Sequence, residues 1–293
     1  MTRRAWFAIG GSGSRGFEGG FAMGRTGTTT RKRDDVAASI REGVWPLVTA
    51  REMQALDRRT IEEQGVAGGI LMESAGRSLV GPVLALRRQG ARPDAPVRAI
   101  CGAGNNGGDG FVAIRHLIAE GVDAQAILVG DPECLPPDAA SNWHRLAAIG
   151  APGRVIDPSD AEFDGMALLG ETSVAIDALF GTGLQRPIEG GHARWIGWLG
   201  RAREEGLRVL SVDIPSGISA DTGQVLGVAV EADRTVTISL PKIGLALEPG
   251  RSHAGRIEVA RIGIADPPCD RVDGVELWNA KAAAKRFPER PRA

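Results

Sequence analysis

Tyrosine is absent from the 293 residues, which excludes every mechanism that needs a phenolic acid, including the Tyr and Lys couple of short-chain dehydrogenases. Cysteine is scarce. Cys101, Cys134 and Cys269 show no C-x-x-C spacing, so neither a disulfide framework nor a thiolate metal site is indicated, and a reducing cytoplasm is the expected compartment. The four histidines, His116, His144, His192 and His253, contain no H-E-x-x-H pair, which argues against a transition metal. No apolar run reaches the roughly 20 residues that span a bilayer, so no membrane partner is expected. Neither sign of charge dominates, with 35 Lys and Arg against 36 Asp and Glu. No broad field is left to attract nucleic acid.

What is present is 43% apolar residues and 41 glycines, enough to bury one large core. The front of the chain differs from the rest. Its first 43 residues are rich in Gly, Arg, Ser and Thr, carry eight basic and four acidic residues, and lack sustained periodicity. Residues 1–45 are therefore expected to be a disordered tail, with an overcalled start or an Arg-rich targeting segment as alternatives. Residues 46–293 are expected to be the folded domain.

From Pro46 two helices come first. TAREMQALDRRTIEEQG opens with Thr49, and Glu52 stands three residues later at capping-box spacing. ILMESAGRSLVGPVLALRRQG follows with an apolar face. After these, strands are expected at VRAIC (97–101), AQAILVG (124–130), SVAIDAL (173–179), RVLSVDIP (208–215), VTISL (236–240) and RIEVARIGI (256–264), with helical stretches between the earlier ones. Short unbroken apolar strands alternating with helices predict a three-layer α/β/α Rossmann-like sandwich with a mostly parallel central sheet. In that architecture ligands bind at the carboxyl ends of the strands.

The polar loops stand at those ends. VRAIC runs into GAGNNGGDG, whose first six residues satisfy G-x-G-x-x-G, and a helix beginning near Gly108 would offer free N–H groups to a diphosphate. Pyrophosphate has no use for Asn105, Asn106 and Asp109. SVAIDAL leads to FGTGLQRPIEG, RVLSVDIP to SGISADTGQ, and VTISL to PKIGL. Asp177 lies within an apolar strand, where an unpaired charge is costly; it should meet a cation or several donors, or else brace a loop. Asp213 ends another central strand, Ser216 caps the turn after it, and Lys242 follows Pro241. Any one of these has an ordinary structural explanation. Asp131, 24 residues beyond Gly107, matches the ribose-binding acidic position of dinucleotide folds loosely and is read mainly as loop.

Taken together, GAGNNGGDGFVAIRHL, VAIDALFGTGL, VLSVDIPSGISADTG and TVTISLPKIGL, preceded by ILMESAGR, resemble the NAD(P)H-hydrate epimerase family, the YjeF amino-terminal domain, over roughly residues 46–275. The resemblance implies interconversion of the R and S 6-hydroxy hydrates of NADH and NADPH (NADHX and NADPHX), with a separate dehydratase consuming the S form. It implies substrate contacts at Asn105, Asn106, Gly107, Gly108 and Asp109, at Gly181, Thr182, Gly183, Leu184, Gln185, Arg186 and Pro187, and at Asp213. It also implies one K+ per subunit at Asn106, Asp177 and Ser216, and a homodimer joined through the helices before residue 90. Asp213 is the expected acid/base group, Asp109 orients the ring amide or shares proton transfer, and Lys242 holds charge nearby. With nothing after residue 293, a free-standing epimerase is expected. An ordinary NAD-dependent dehydrogenase, which the three loop glycines alone would favour, leaves Asp177 and Asp213 without a role. A noncatalytic dimerisation or protein-binding scaffold of the same fold is the other alternative.

Overall fold

A computed structural model describes residues 22–25, 44–264 and 275–278. Its centre is a seven-stranded sheet in the order β5-β4-β3-β6-β7-β8-β9, built from β3 (Val97–Cys101), β4 (Ala124–Val129), β5 (Arg154–Ile156), β6 (Val174–Ala178), β7 (Arg208–Val212), β8 (Arg234–Ile238) and β9 (Arg256–Ala260). All six pairings are parallel. The six strands expected from apolar runs are all present. The three-residue edge strand β5 has no counterpart among the expectations, because GRVID is too short to show a period.

Alternation along the strands divides the core in two. One face sends Ala99, Cys101, Leu128, Ile176 and Ala178 against α2 (Gly68–Gln89), α3 (Asn105–Ala119) and α4 (Pro137–Ala148), which bury Leu79, Phe111, Ile114 and Leu146 there. The other sends Ile100, Ile127 and Ala175 against α5 (Gly165–Gly170) and α6 (Gly190–Glu204), with Leu169, Trp195 and Leu199 inside. Helices on both faces of a parallel sheet make the three-layer α/β/α sandwich expected from the sequence.

The helix α1 (Ala50–Glu62) lies outside these layers, over the carboxyl end of the sheet, where Met53 and Leu56 pack with Val48 and Leu240. Its capping box is formed as expected: Thr49 Oγ1 accepts from Glu52 N at 3.1 Å, and Thr49 N donates to Glu52 Oε2 at 2.8 Å. Two further links fix its start. Ala50 N donates to Asp221 Oδ1 at 2.6 Å, and Val48 pairs with the backbone around Lys242 through Val48 N to Pro241 O and Ile243 N to Val48 O, both 3.0 Å.

A second, three-stranded antiparallel sheet joins β1 (Ala22–Arg25), β10 (Val275–Trp278) and β2 (Val44–Leu47) in the order β1-β10-β2. Ala22–Arg25 falls inside the segment expected to be unstructured. Its pairing partner is some 250 residues away, and a period read within the segment cannot register such pairing; the other residues before Val44 lie outside the described ones. Among the described residues no helix is long and apolar enough to cross a membrane.

Candidate active site

The carboxyl ends of β3, β4, β6, β7 and β8 open into one cavity of about 870 Å³, roofed by α1 and the start of α2. Asn105, Asn106, Asp109, the run Gly181 to Arg186, Asp213 and Lys242 all line it. Gly107, Gly108, Pro187, Asp177 and Ser216 do not; the first two are packed beneath it and the last two lie behind the β6 loop.

Local structure explains the difference. The helix α3 starts at Asn105 with Gly104 as its N-cap, three residues earlier than the expected start near Gly108. Asn and Gly have low helix propensity, so the sequence hides the first turn, which the packing imposes. A Cβ on Gly107 would collide with the Gly102 carbonyl, and one on Gly102 with the Leu179 carbonyl. These two glycines bring the loop onto β6. Gly104, by contrast, has open space where its side chain would be and lines the cavity with Asn105 and Asn106; the N–H groups that a helix leaves free in its first turn suit an anion there.

At the far end of the cavity, β7 and β8 both stop on a residue with left-handed backbone: Asp213 has φ +66° and Ser239 φ +63°. Such conformations cost about 1–3 kcal/mol when the residue is not glycine, and surrounding bonds hold them. Asp213 N donates to Val236 O at 2.8 Å, and its carboxylate accepts from Ile238 N at 2.9 Å. Lys242 is 0% exposed. Its ammonium is ion-paired with Asp213 and donates to Ile238 O at 2.9 Å and Thr237 Oγ1 at 3.2 Å, which occupies all three N–H groups. The ordinary expectation for a lysine after a strand, a solvated side chain, does not hold here.

Asp109 stands opposite, one turn into α3. Its carboxyl has no hydrogen bond or ion pair among the described residues. Burial, with Asp213 and then Asp57 facing it, pushes it well above the usual carboxylate range against the pull of Lys242. Two carboxyls thus share one cavity in unlike surroundings, one ion-paired and one held toward the neutral form.

Asp177 is fully buried at the end of β6 and accepts from Ser211 Oγ at 2.7 Å, Ser216 N at 2.9 Å and Ser216 Oγ at 2.5 Å. Phe180 N donates to Ser216 Oγ at 2.9 Å. Burial raises the Asp177 carboxyl and these donors lower it. It has no ion pair among the described residues. Asn106 leans on Gly181 in the loop after β6, and its buried Nδ2 has no partner among the described residues.

Several cavity residues were not singled out from the sequence. Asp57 and Gln54 come from α1, Asp138 from α4 and His192 from α6. Burial pushes Asp57 up, aided by Asp138, and pushes His192 down, with Val129 O as its 3.2 Å partner. Their only sequence signal is a polar residue on a helix, which solvent explains equally well.

Residues 68–244 match the family described as YjeF-related protein N-terminus. The chain is 44% identical over 214 residues to the bifunctional NAD(P)H-hydrate repair enzyme Nnr of Thermofilum pendens and 39% identical over 235 residues to that of Salinibacter ruber. These alignments take in 72% and 77% of this chain but 39% and 42% of those proteins; the chain spans about two fifths of the length of these curated relatives. It is 36% identical over 213 residues to the NAD(P)H-hydrate epimerase of Limosilactobacillus fermentum, covering 73% of this chain and 95% of that one. Among solved structures, yeast ynu0 superposes with a TM-score of 0.60 at 24% identity, over 73% of this chain and 86% of that one, a likeness of fold. With the family match covering more than half the chain and the Limosilactobacillus protein covered almost end to end, this chain belongs to the YjeF-related protein N-terminus family.

Proposed function

We propose that the chain is an isomerase, an NAD(P)H-hydrate epimerase that interconverts the R and S 6-hydroxy hydrates of NADH and NADPH. The observation that carries this reading is the meeting of Asp109, Asp213 and Lys242 in one cavity that also takes in the open first turn of α3. A dinucleotide places its diphosphate at such a helix start, and its hydrated ring then reaches the two carboxyls. The name carried by the Limosilactobacillus relative supports the same reading.

The carbon to be inverted bears the hydroxyl and is bonded to the ring nitrogen. Its configuration is lost when the hydroxyl leaves with a proton or when the ring opens, and neither route is a redox step. Asp109, held toward its protonated form, delivers the proton to the leaving oxygen and recovers it on the return. Asp213, fixed by Lys242 and Ile238 N, faces the positive charge that develops on the ring. Placing charge in advance in this way lowers the barrier without reorganisation. The assignment shifts the proton-carrying role from Asp213, favoured by the sequence, to Asp109, because Asp213 already has a cationic partner.

A potassium ion fits Asn106, Asp177 and Ser216. The donors are amide, carboxylate and hydroxyl oxygens, which suit a hard cation, and a single buried carboxylate without a cationic partner balances a single charge. When bound, the ion braces the loops after β3, β6 and β7. The reading also includes residues 46–293 as the catalytic unit, a cytoplasmic location, a separate dehydratase that consumes the S form, and a homodimer meeting through the helices before residue 90, where Ile70 is 60% exposed.

The deciding experiment incubates the protein with mixed R and S hydrates and a dehydratase that accepts only S. Complete consumption of the R form is expected. Persistence of R at the uncatalysed rate would remove the assignment and leave a noncatalytic scaffold of the same fold.

A further inference from the structure

The sheet order β5-β4-β3-β6-β7-β8 follows the sequence 3-2-1-4-5-6 of the doubly wound dinucleotide fold when β3 is counted as the first strand. The cavity tracks that order. It runs from Lys242 and Asp213 after β8 and β7, past the Gly181 to Arg186 loop after β6 and the Gly104 to Asp109 turn after β3, to Val129, Gly130 and Asp131 after β4. In this topology the residue ending the second strand meets the ribose of the adenosine half, and an acidic side chain there hydrogen-bonds its 2′-hydroxyl. Asp131 occupies that position.

The site around it fits. Asp131 is exposed to the cavity. One carboxylate oxygen accepts from Glu133 N at 2.9 Å and so fixes the side chain at the start of a short 3-10 turn (Pro132–Cys134). The other has no partner among the described residues. Resting on the functional reading above, we propose that Asp131 is a specificity-determining residue: it receives the adenosine ribose 2′-hydroxyl and makes the chain prefer the hydrate of NADH over that of NADPH. A 2′-phosphate at the same place would set two negative groups against each other, which is strongly unfavourable. Besides Lys242, whose N–H groups are all in use, Arg186 is the one Lys or Arg side chain lining the cavity among the described residues. Burial and then the nearby Arg186 charge depress the pKa of His192, whose ring meets Val129 O beside Asp131, so Arg186→Gln is the control for a 2′-phosphate contact.

The test compares kcat/KM for the two R hydrates in the full chain and in Asp131→Asn, which keeps the oxygen that accepts from Glu133 N and loses the charge. The wild type is expected to favour the NADH hydrate by roughly tenfold or more, and Asp131→Asn to shift the ratio by roughly tenfold toward the NADPH hydrate. Calorimetric titration with NAD+ and NADP+ gives a readout that does not depend on turnover, and the same shift in relative affinity is expected. Equal kcat/KM for both hydrates in the wild type, or a ratio unmoved in Asp131→Asn, would overturn the inference. So would a loss confined to the phosphorylated ligand in Arg186→Gln. Absence of turnover on either hydrate would instead remove the functional reading, and the binding ratio would still decide the role of Asp131.

Discussion

Asp109 in α3 and Asp213 after β7 are the same residue type facing one cavity, and their surroundings separate them. The folded-state pKa of Asp109 is raised, so a penalty on its charged form grows as pH rises from the unfolded value toward the folded one; at neutral pH the native state bears that penalty. Asp109→Asn is therefore expected to raise the thermal midpoint at pH 7, by about 2–4 °C for each kcal/mol recovered, while epimerisation falls. Differential scanning calorimetry beside an activity assay checks both, and an unchanged or lower midpoint would contradict the account. Asp213→Asn removes the charge facing the ring and leaves Lys242 without its ion pair. A rate loss of roughly 100- to 1,000-fold with the fold retained is expected, the size found when one preorganised electrostatic partner is removed, measured by single-substrate kinetics and circular dichroism. Of these residues the sequence shows position but not charge state. Asp213 was legible as the polar end of an apolar strand, whereas the left-handed backbone that aims it and the pairing that seats Lys242 come from β8 and from Val48.

At the scale of elements, strands and long helices were readable because their apolar periods are strong: all six expected strands and the capped α1 are present. The boundaries that matter chemically were not. The helix α3 begins at Asn105 because Gly102 and Gly107 let three backbones approach, and no residue in NNGG has a helix preference to announce it. Gly107→Ala is accordingly expected to destabilise by about 1–3 kcal/mol, since the added methyl meets a backbone carbonyl that cannot move aside; chemical denaturation measures it. The roof is a separate matter. Thr49→Ala removes the α1 cap and is expected to cost about 1 kcal/mol. Because Met53, Gln54 and Asp57 line the cavity from α1, KM should rise more than kcat falls.

Over the whole molecule, three loops from three strands converge behind the cavity on Asp177, Ser216 and Asn106. If a cation joins them, the thermal midpoint should be higher in potassium chloride than in an equal concentration of tetramethylammonium chloride, and Asp177→Asn should abolish the difference. A midpoint indifferent to the cation would argue for the serine donors alone as the brace. The architecture, strand order apart, followed from alternating helices and apolar strands. The cavity as a whole did not, because Gln54, Asp57, Asp138 and His192 reach its wall from α1, α4 and α6, where a polar residue has no periodic signature of function.

The parallel bridge between Val48 and the peptides flanking Lys242 joins the end of β2 to the buried lysine of the cavity wall. Amide exchange should reveal this as a shared fate: the Val48 and Ile243 protons, nearly 200 positions apart in the chain, ought to be released into deuterium at one common rate and to slow together when nucleotide occupies the cavity. A fragment trimmed to residues 68–244 would retain the glycine loop and lose that latch, so its lysine would be left without the neighbour that seals it from solvent.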